Sequence, residues 1–410
     1  MKKFVKVVET NEEVKVNNNS YIPDDFSFSI LSKLPLKSLK RFGCVSKSWS
    51  LLFENPHFLN MLRNHFLSNN HRSNYGVTLL LLYDSDLPVH YTLYLLSDDR
   101  FENRVKLDLP PPIQEVVSTL YILSSTSING ILCLGNTMNR GIVSIFRAVL
   151  WNPATAEYMF IPPSPDEDVP PYREPLCKFD GFGYDHVRDD YKLIRYIIFF
   201  DLTDDDEDVP WEDRSYDPLL EIYSLRNNSW RILDIDMRDI AHCAYDQPQD
   251  GAAVYMDGVC HWWANNDLFN LTGILVSYDF SNEVLFTTPM LLDMVESCDF
   301  IVDRRLVVLN ESIALISNYS KPTTFHISIL GELGVKESWI KLFIVGPVPS
   351  IECPIGFGKK GICFKQKNDE LVWIDINTQI IDEIGVRAEG YSFQMGIYKE
   401  SLLSIGGINN

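Results

Sequence analysis

The side chains able to do chemistry in this 410-residue chain are eight cysteines, eight histidines and one dense run of acids. The cysteines stand at 44, 133, 177, 243, 260, 298, 353 and 363. A zinc site needs thiolates and imidazoles at short spacings, and no C-x-x-C pair occurs. His242-Cys243 and Cys260-His261 are adjacent pairs. Neighbours on a strand point to opposite faces, which is poor geometry for chelation. Buried, reduced thiols are the expectation, with no metal and no cofactor. Gly181-Phe182-Gly183 and Gly356-Phe357-Gly358-Lys359-Lys360-Gly361 lack the Gly-x4-Gly-Lys-Ser/Thr pattern of a phosphate loop and read as tight turns. Gly-x-Ser-x-Gly, His-Glu-x-x-His and the kinase signatures do not occur. No catalytic residue is expected, and the chemistry left is that of binding.

Two features could bind a macromolecule. Six of the eight residues from Asp201 to Asp208 are acids, followed by Pro210-Trp211-Glu212-Asp213. One reading is a solvated loop. The sharper one is an acidic lip, with Asp204, Asp205 and Asp206 selecting a basic target segment and Trp211 as its aromatic anchor. In Trp262-Trp263 the two indoles of a strand face apart, so one enters a core and the other is free to line a binding face. The proline-rich run from Ile161 to Pro175 reads as an extended connection. A net charge of −20 argues against nucleic acid and anionic membrane as partners and allows basic proteins. No apolar run approaches a membrane span, and Met1–Glu9 holds no signal-peptide core. Nucleus and/or cytoplasm is the expected location.

These residues must be positioned by two kinds of element. The first is helical. Residues 1–20 read as a disordered lead-in, and a small module follows over 21–68. Phe26, Ile30, Leu31 and Leu34 are spaced as one apolar helix face. Pro23 sits where a first-turn proline is tolerated, with Asp24 and Asp25 in the acid-favouring turn. Pro35 ends that helix. Leu36, Leu39 and Phe42 mark a second helix, closed by Gly43. Val45, Trp49, Leu52 and Phe53 mark a third. Asn55-Pro56 reads as a cap and a first-turn proline ahead of Phe58, Leu59, Leu62 and Phe66. About 45 residues is close to the least that sustains its own core. Its apolar surface therefore belongs partly to a partner, or docks on the rest of the chain.

The wording of this module closely resembles the F-box. The matching places are Ile22-Pro23, Asp24-Asp25, Phe26, Ile30-Leu31, Leu34-Pro35, Leu36, Lys37-Ser38-Leu39, Arg41-Phe42, Cys44-Val45, Lys47 and Trp49, with Ile22 and Phe26 standing where leucine is usual. The resemblance implies binding to the Skp-type adaptor of a cullin-RING ubiquitin ligase. It points to Pro23, Ile30, Leu31, Leu34, Pro35, Leu36, Leu39, Val45 and Trp49 as contacts or their direct support, some of them filling the module's own core. Six Lys/Arg against three Asp/Glu give the module a net charge of +3. That charge helps steer an acidic partner, or is a chance local excess.

The second kind of element is the β-strand. Over 76–410 short runs of Val, Ile, Leu, Tyr and Phe alternate with turn signals. A large apolar residue, a polar turn and another large apolar residue seven positions on recur: Tyr94 to Phe101, Trp151 to Tyr158, Tyr223 to Trp230, Tyr278 to Leu285 and Ile374 to Ile381, with a longer version from Ile329 to Trp339. Each reads as a hairpin. With an earlier glycine in most units (Gly130, Gly183, Gly258, Gly361), the period suits four-stranded, kelch-like propeller blades, six preferred and five to seven allowed. The stretch Tyr391–Tyr398 could supply a strand completing the first blade. A β-sandwich plus a second β domain is the alternative. The predicted class is thus α+β multidomain: a small helical module, then an all-β propeller.

The β region is similar to the F-box-associated interaction domain of plant F-box proteins. Phe182-Gly183-Tyr184-Asp185 with Asp190-Tyr191-Lys192-Leu193, Leu150-Trp151-Asn152-Pro153-Ala154-Thr155, and Glu400-Ser401-Leu402-Leu403 carry that likeness. It implies a non-catalytic substrate-recognition subunit of an SCF-type ligase, linked through the adaptor to cullin and presenting an unknown target protein for ubiquitination. The alternatives are an F-box scaffold acting outside the ligase and a kelch-type propeller enzyme. The enzyme reading needs a cluster of Tyr, His and Cys ligands that the sequence does not display.

Overall fold

One local device builds the hairpins. In four of them the seven-residue spacing is the pairing register itself: Trp151 lies opposite Tyr158, Tyr223 opposite Trp230, Tyr278 opposite Leu285 and Ile374 opposite Ile381. The next residue in each is Asn152, Ser224, Asp279 or Asp375. Its side-chain oxygen accepts a turn N–H: from Ala154 at 3.0 Å, Asn227 at 3.1 Å, Ser281 at 2.9 Å and Asn377 at 2.9 Å. Short oxygen-bearing side chains stabilise turns in this way. Four residues after each cap, Ala156, Asn228, Glu283 and Gln379 take φ of 58°, 47°, 57° and 54° and turn the chain back.

Two of the expected pairs differ. Tyr94 pairs with Lys106 instead of Phe101, which lies outside the described residues. Ile329 pairs with Ile340, and Trp339 with Leu330, because the intervening turn holds an extra 3-10 turn at Lys336–Ser338.

The computed structural model describes residues 24–34, 38, 49, 51, 55–58, 61–62, 77–84, 90–96, 104–114, 119–140, 143–164, 173–201, 218–235, 253–265, 273–290, 303–309, 312–320, 323–358, 361–388 and 393–405. Among them, strands form six four-stranded antiparallel sheets. These are blade 1 (residues 77–107 with 393–398), blade 2 (119–160), blade 3 (173–233), blade 4 (254–289), blade 5 (303–345) and blade 6 (351–387). The C-terminal strand Phe393–Tyr398 pairs with Val77–Asp84, so the chain's last strand becomes the first of blade 1.

Six buried apolar clusters show how the sheets close into a ring. Each joins two consecutive blades. Leu93 and Tyr398 pack with Leu132 and Trp151, Cys133 and Leu150 with Phe182 and Tyr223, and Ile194 and Ile222 with Trp262 and Val276. Val254 and Leu275 pack with Leu315 and Trp339, and Ile316 and Phe325 with Phe364 and Val372. Cys363 and Trp373 then meet Leu96, Phe393 and Met395, which brings blade 6 back to blade 1. Each sheet is apolar on both faces and can bury both only by stacking between two others.

The first strands face the ring axis, and at one end they zip together. Ser125 N donates to Ala253 O at 2.8 Å, and Ile397 N to Ser125 O at 2.7 Å. The short bridges Ser124–Ala253 and Thr126–Ile397 thus lay residues 124–126 of blade 2 across the channel as a floor between blades 4 and 1. A Cβ on Gly396 would stand 3.0 Å from Ser125 O, which is why the floor needs glycine there.

The helical module is tied to this ring. Leu31, Phe58 and Leu62 belong to the same buried cluster as the facing residues of blades 5 and 6, with Phe28, Leu34, Trp49 and Val348 packed against it.

Candidate partner-binding site

The first helix, α1, spans Asp24–Leu31. Its last turn closes through Ser32 N to Phe28 O at 2.8 Å and Leu34 N to Leu31 O at 3.0 Å, just before Pro35. The sequence reading put Phe26, Ile30, Leu31 and Leu34 on one face. The structure divides them. Leu31 is 5% exposed and Leu34 is half-buried, whereas Phe26 is 67% and Ile30 is 62% exposed. At 100° per residue, Phe26 and Ile30 stand one above the other, and Phe28 with Leu31 occupy another side. Phe28 makes an edge contact with Phe58 at 5.5 Å. Its i, i+3 spacing to Leu31 was the available signal for its inward role. Asn55 caps as expected, its Oδ1 accepting from His57 N at 2.9 Å and Phe58 N at 3.2 Å.

The other predicted positions can be placed in turn. Trp49 is half-buried and packs on the cluster that holds Leu31. Leu51 is exposed. Pro23, Pro35, Leu36, Leu39 and Val45 lie outside the described residues, as do Asp204, Asp205, Asp206 and Trp211. Trp262 is buried between blades 3 and 4. Trp263 faces the other way, half-buried toward blade 5, with the Arg304 guanidinium 5.7 Å from its ring. A Cβ on Gly273 would run into the Trp263 indole, so the opposite strand makes room with glycine.

The three segments that carry the propeller likeness turn out to be clasps at one end of the ring. Turns between first and second strands, and between third and fourth, share that end. The Asp185 carboxylate accepts from Val187 N and Arg188 N, both at 3.0 Å, and so caps its own hairpin. It also takes Lys192 Nζ at 2.8 Å, Arg188 Nη1 at 2.9 Å and Ser281 Oγ of the next blade at 3.0 Å. Burial works against its charge, but these hydrogen bonds prevail and hold the carboxyl far below the usual carboxylate range. Lys192 Nζ continues to Phe280 O at 3.3 Å and Glu283 Oε1 at 3.1 Å, and Arg231 Nη2 meets Glu283 at 2.6 Å. Gly183 gives the Phe280 ring its place, since a Cβ there would overlap it. Asp190 takes Ser224 Oγ at 2.6 Å and Arg226 N at 2.8 Å.

The same end holds the C-terminal segment. Asn152, fully buried, donates from Nδ2 to Ser401 O at 3.0 Å and to Leu403 O at 2.8 Å. Glu157 accepts from Ser404 Oγ and Ile405 N, both at 2.9 Å. These polar side chains are matched donor to acceptor, some within a blade and some across to the next. Burial pushes the thiols of Cys133 and Cys363 well up, which makes them unreactive. Among the described residues no group of three His, Cys, Asp or Glu side chains could hold a metal ion. Among them, too, no helix is long and apolar enough to cross a membrane.

Residues 20–61 match the F-box domain, and residues 91–405 match the F-box associated beta propeller domain. The chain belongs to the F-box associated β-propeller family. This F-box protein is similar to F-box protein CPR1 of Arabidopsis thaliana, with 25% identity over 95% of its own length and 91% of the relative. It is likewise similar to an F-box/kelch-repeat protein of the same plant, at 25% identity over 82% of both chains. Among solved structures, a putative 6-phosphogluconolactonase from Bacteroides fragilis covers 80% of this F-box protein and 99% of its own chain. It does so at 8% identity and a TM-score of 0.32, a likeness too slight to argue from.

Proposed function

We propose that this F-box protein is the target-binding subunit of an SCF-type cullin-RING ubiquitin ligase, working in the nucleus or cytoplasm and contributing no catalytic step of its own. The observation that carries the proposal is the exposed apolar pair Phe26 and Ile30 on α1. A helix that has already buried Leu31 and packed the half-buried Phe28 against its own chain has no internal use for a second apolar side. A Skp-type adaptor covers that side, with cullin beyond it. Leu31, Leu34 and Trp49 support the face from within, and Pro23, Pro35, Leu36, Leu39 and Val45 complete it. Because the module shares a core with blades 5 and 6, the propeller is presented at a set angle to the ligase.

The target occupies the end of the ring opposite the clasps. Connections between second and third strands, and from blade to blade, leave and re-enter there. The strand Asp190–Asp201 ends there, and in the sequence Asp204, Asp205, Asp206 and Trp211 follow within ten residues of Asp201. Trp263 stands two residues from the same end of its strand, while Trp262 serves packing. The acids select a basic stretch of the target, and Trp211 anchors it.

The test is co-purification of the full chain with a Skp-type adaptor. Wild type forms a stoichiometric complex. Phe26→Asp with Ile30→Asp abolishes it while circular dichroism and thermal midpoint stay unchanged. Wild type failing to bind, or the double variant binding as well as wild type, overturns the reading.

A further inference from the structure

Blade 2 is covered unevenly on its outer side. Its second and third strands, Leu132–Arg140 and Val143–Asn152, pair from Leu132 opposite Trp151 to Arg140 opposite Val143. The fourth strand, Glu157–Phe160, lies only against residues 149–152. One more bond follows, Ile161 N to Ala148 O at 2.9 Å, and then the chain departs. Pro162 and Pro163 have no N–H with which to continue the ladder. Pro162 O takes Trp230 Nε1 of blade 3 at 2.7 Å, and Ser164 Oγ reaches Glu221 Oε1 at 3.2 Å. Residues 143–147 are thus left with an open outer edge among the described residues. Every other blade leaves at most three residues of its third strand so.

The backbone groups on that edge follow from the strand period. Ala148 O faces the fourth strand, and an antiparallel ladder repeats every second residue. The N–H and C=O of Phe146 and Ser144 therefore point the same way, and among the described residues they meet no partner. Proteins guard such edges with charges, proline or a bulge. The outer strands Arg104–Leu107 and Ile381–Arg387 obey that rule, with Arg104 and Lys106 in one and Asp382, Glu383 and a register shift in the other. Val143-Ser144-Ile145-Phe146 carries no charge and no proline.

An antiparallel copy of the same segment fits this edge. With Ile145 opposite Ile145 of a second copy, Ser144 of each chain stands opposite Phe146 of the other. Their outward groups then exchange hydrogen bonds in both pairs, about four in all. Arg147 comes opposite Val143, so no like charges are directly opposed. Residues 132–147 hold two arginines and no acid, in a chain of net charge −20. The hairpin is therefore drawn toward a second acidic molecule. We propose that this edge is a self-association surface, at which two copies join through an antiparallel pair of their residues 143–147 about a two-fold axis. The inference rests on the ladder alone and stands whether or not the chain works in a ligase.

A contact of one strand pair is transient, so sedimentation velocity of the full chain is read from about 1 to about 300 µM. Wild type passes from monomer to dimer over that range, and its Ser144 and Phe146 amides exchange more slowly with solvent as the dimer fills. Ser144→Pro removes an outward N–H from each copy without touching the bonds to Leu132–Arg140. It weakens the dimer by about tenfold or more, the loss expected for two hydrogen bonds. Ile145→Lys and Ile145→Glu each set like charges opposite one another, and each stays monomeric. Mixed together they dimerise again, which a defect of folding would not allow. Wild type that stays monomeric at the highest concentration, a Ser144→Pro chain that dimerises as wild type does, or a mixture of the two charged variants that stays monomeric each overturn the proposal.

Discussion

Lys192 Nζ lies 2.8 Å from Asp185 Oδ2, with both side chains buried, and the same ammonium reaches Glu283 Oε1 of the next blade at 3.1 Å. One lysine therefore neutralises the cap of one hairpin and ties it to its neighbour. Removing one partner of such a pair strands a charge that cannot return to water. Lys192→Met is expected to cost about 3 to 5 kcal/mol in urea unfolding. Adding Asp185→Asn recovers part of that loss, because the amide oxygen still caps the turn and carries no charge.

The C-terminal segment should detach when its holder is shortened. Asn152→Ala uncaps one turn and leaves Ser401 O and Leu403 O without their donor. The expected cost is about 1 to 3 kcal/mol. Residues beyond Tyr398 become cleavable in limited proteolysis, and the Ile405 amide exchanges faster with solvent. Hydrogen bonds from Ile405 N and Ser404 to Glu157 hold that exposed carboxyl below its usual range. The tail contact is therefore present above the ordinary glutamate range and loosens as pH falls through the depressed value. Protection of Ile405 that stays level through that fall would count against this clasp.

A buried histidine sets a second pH window. His261 is enclosed in blade 4, its Nδ1 2.9 Å from Ser277 Oγ, and burial pushes its imidazole down to about 4. An exposed imidazole titrates at about 6.5. Between those values the unfolded chain takes up a proton that the folded chain refuses. Stability thus falls as pH drops from about 6.5 to about 4, and this group has no effect above that window. At pH 5 the loss is about 2 kcal/mol relative to neutral pH. His261→Asn should flatten that slope, read as the shift in urea midpoint between the two pH values. The Asp185 and Glu283 carboxyls, held low by their cations, lose their contribution only in stronger acid.

The division of α1 into two sides predicts opposite responses. Phe58→Ala removes a fully buried ring from the cluster shared with blades 5 and 6 and should cost about 3 to 5 kcal/mol. Phe26→Ala lies on the exposed side and should change stability by less than about 0.5 kcal/mol. Thermal midpoints of the two variants check this. Equal losses would mean that Phe26 is packed in solution.

The sequence by itself determined the local devices. Short-range chemistry writes them: an Asn, Ser or Asp capping each turn, a left-handed residue four places on, and an apolar partner seven places from its mate. The hairpins at Trp151, Tyr223, Tyr278 and Ile374 were legible for that reason, and so was the cap at Asn55. The longer turns after Tyr94 and Ile329 were not, because their register depends on how much chain each turn absorbs.

Only the tertiary structure decided which apolar residues of α1 face inward. Helical spacing gives the angles between Phe26, Phe28, Ile30 and Leu31 but not where the rest of the protein lies. It likewise decided that Asp185, Asn152 and the C-terminal segment are clasps, since their partners stand 88 or more positions away in several cases. The ring itself was decided there too, because the strand Phe393–Tyr398 pairs with Val77–Asp84 only when the end of the propeller returns to its first blade.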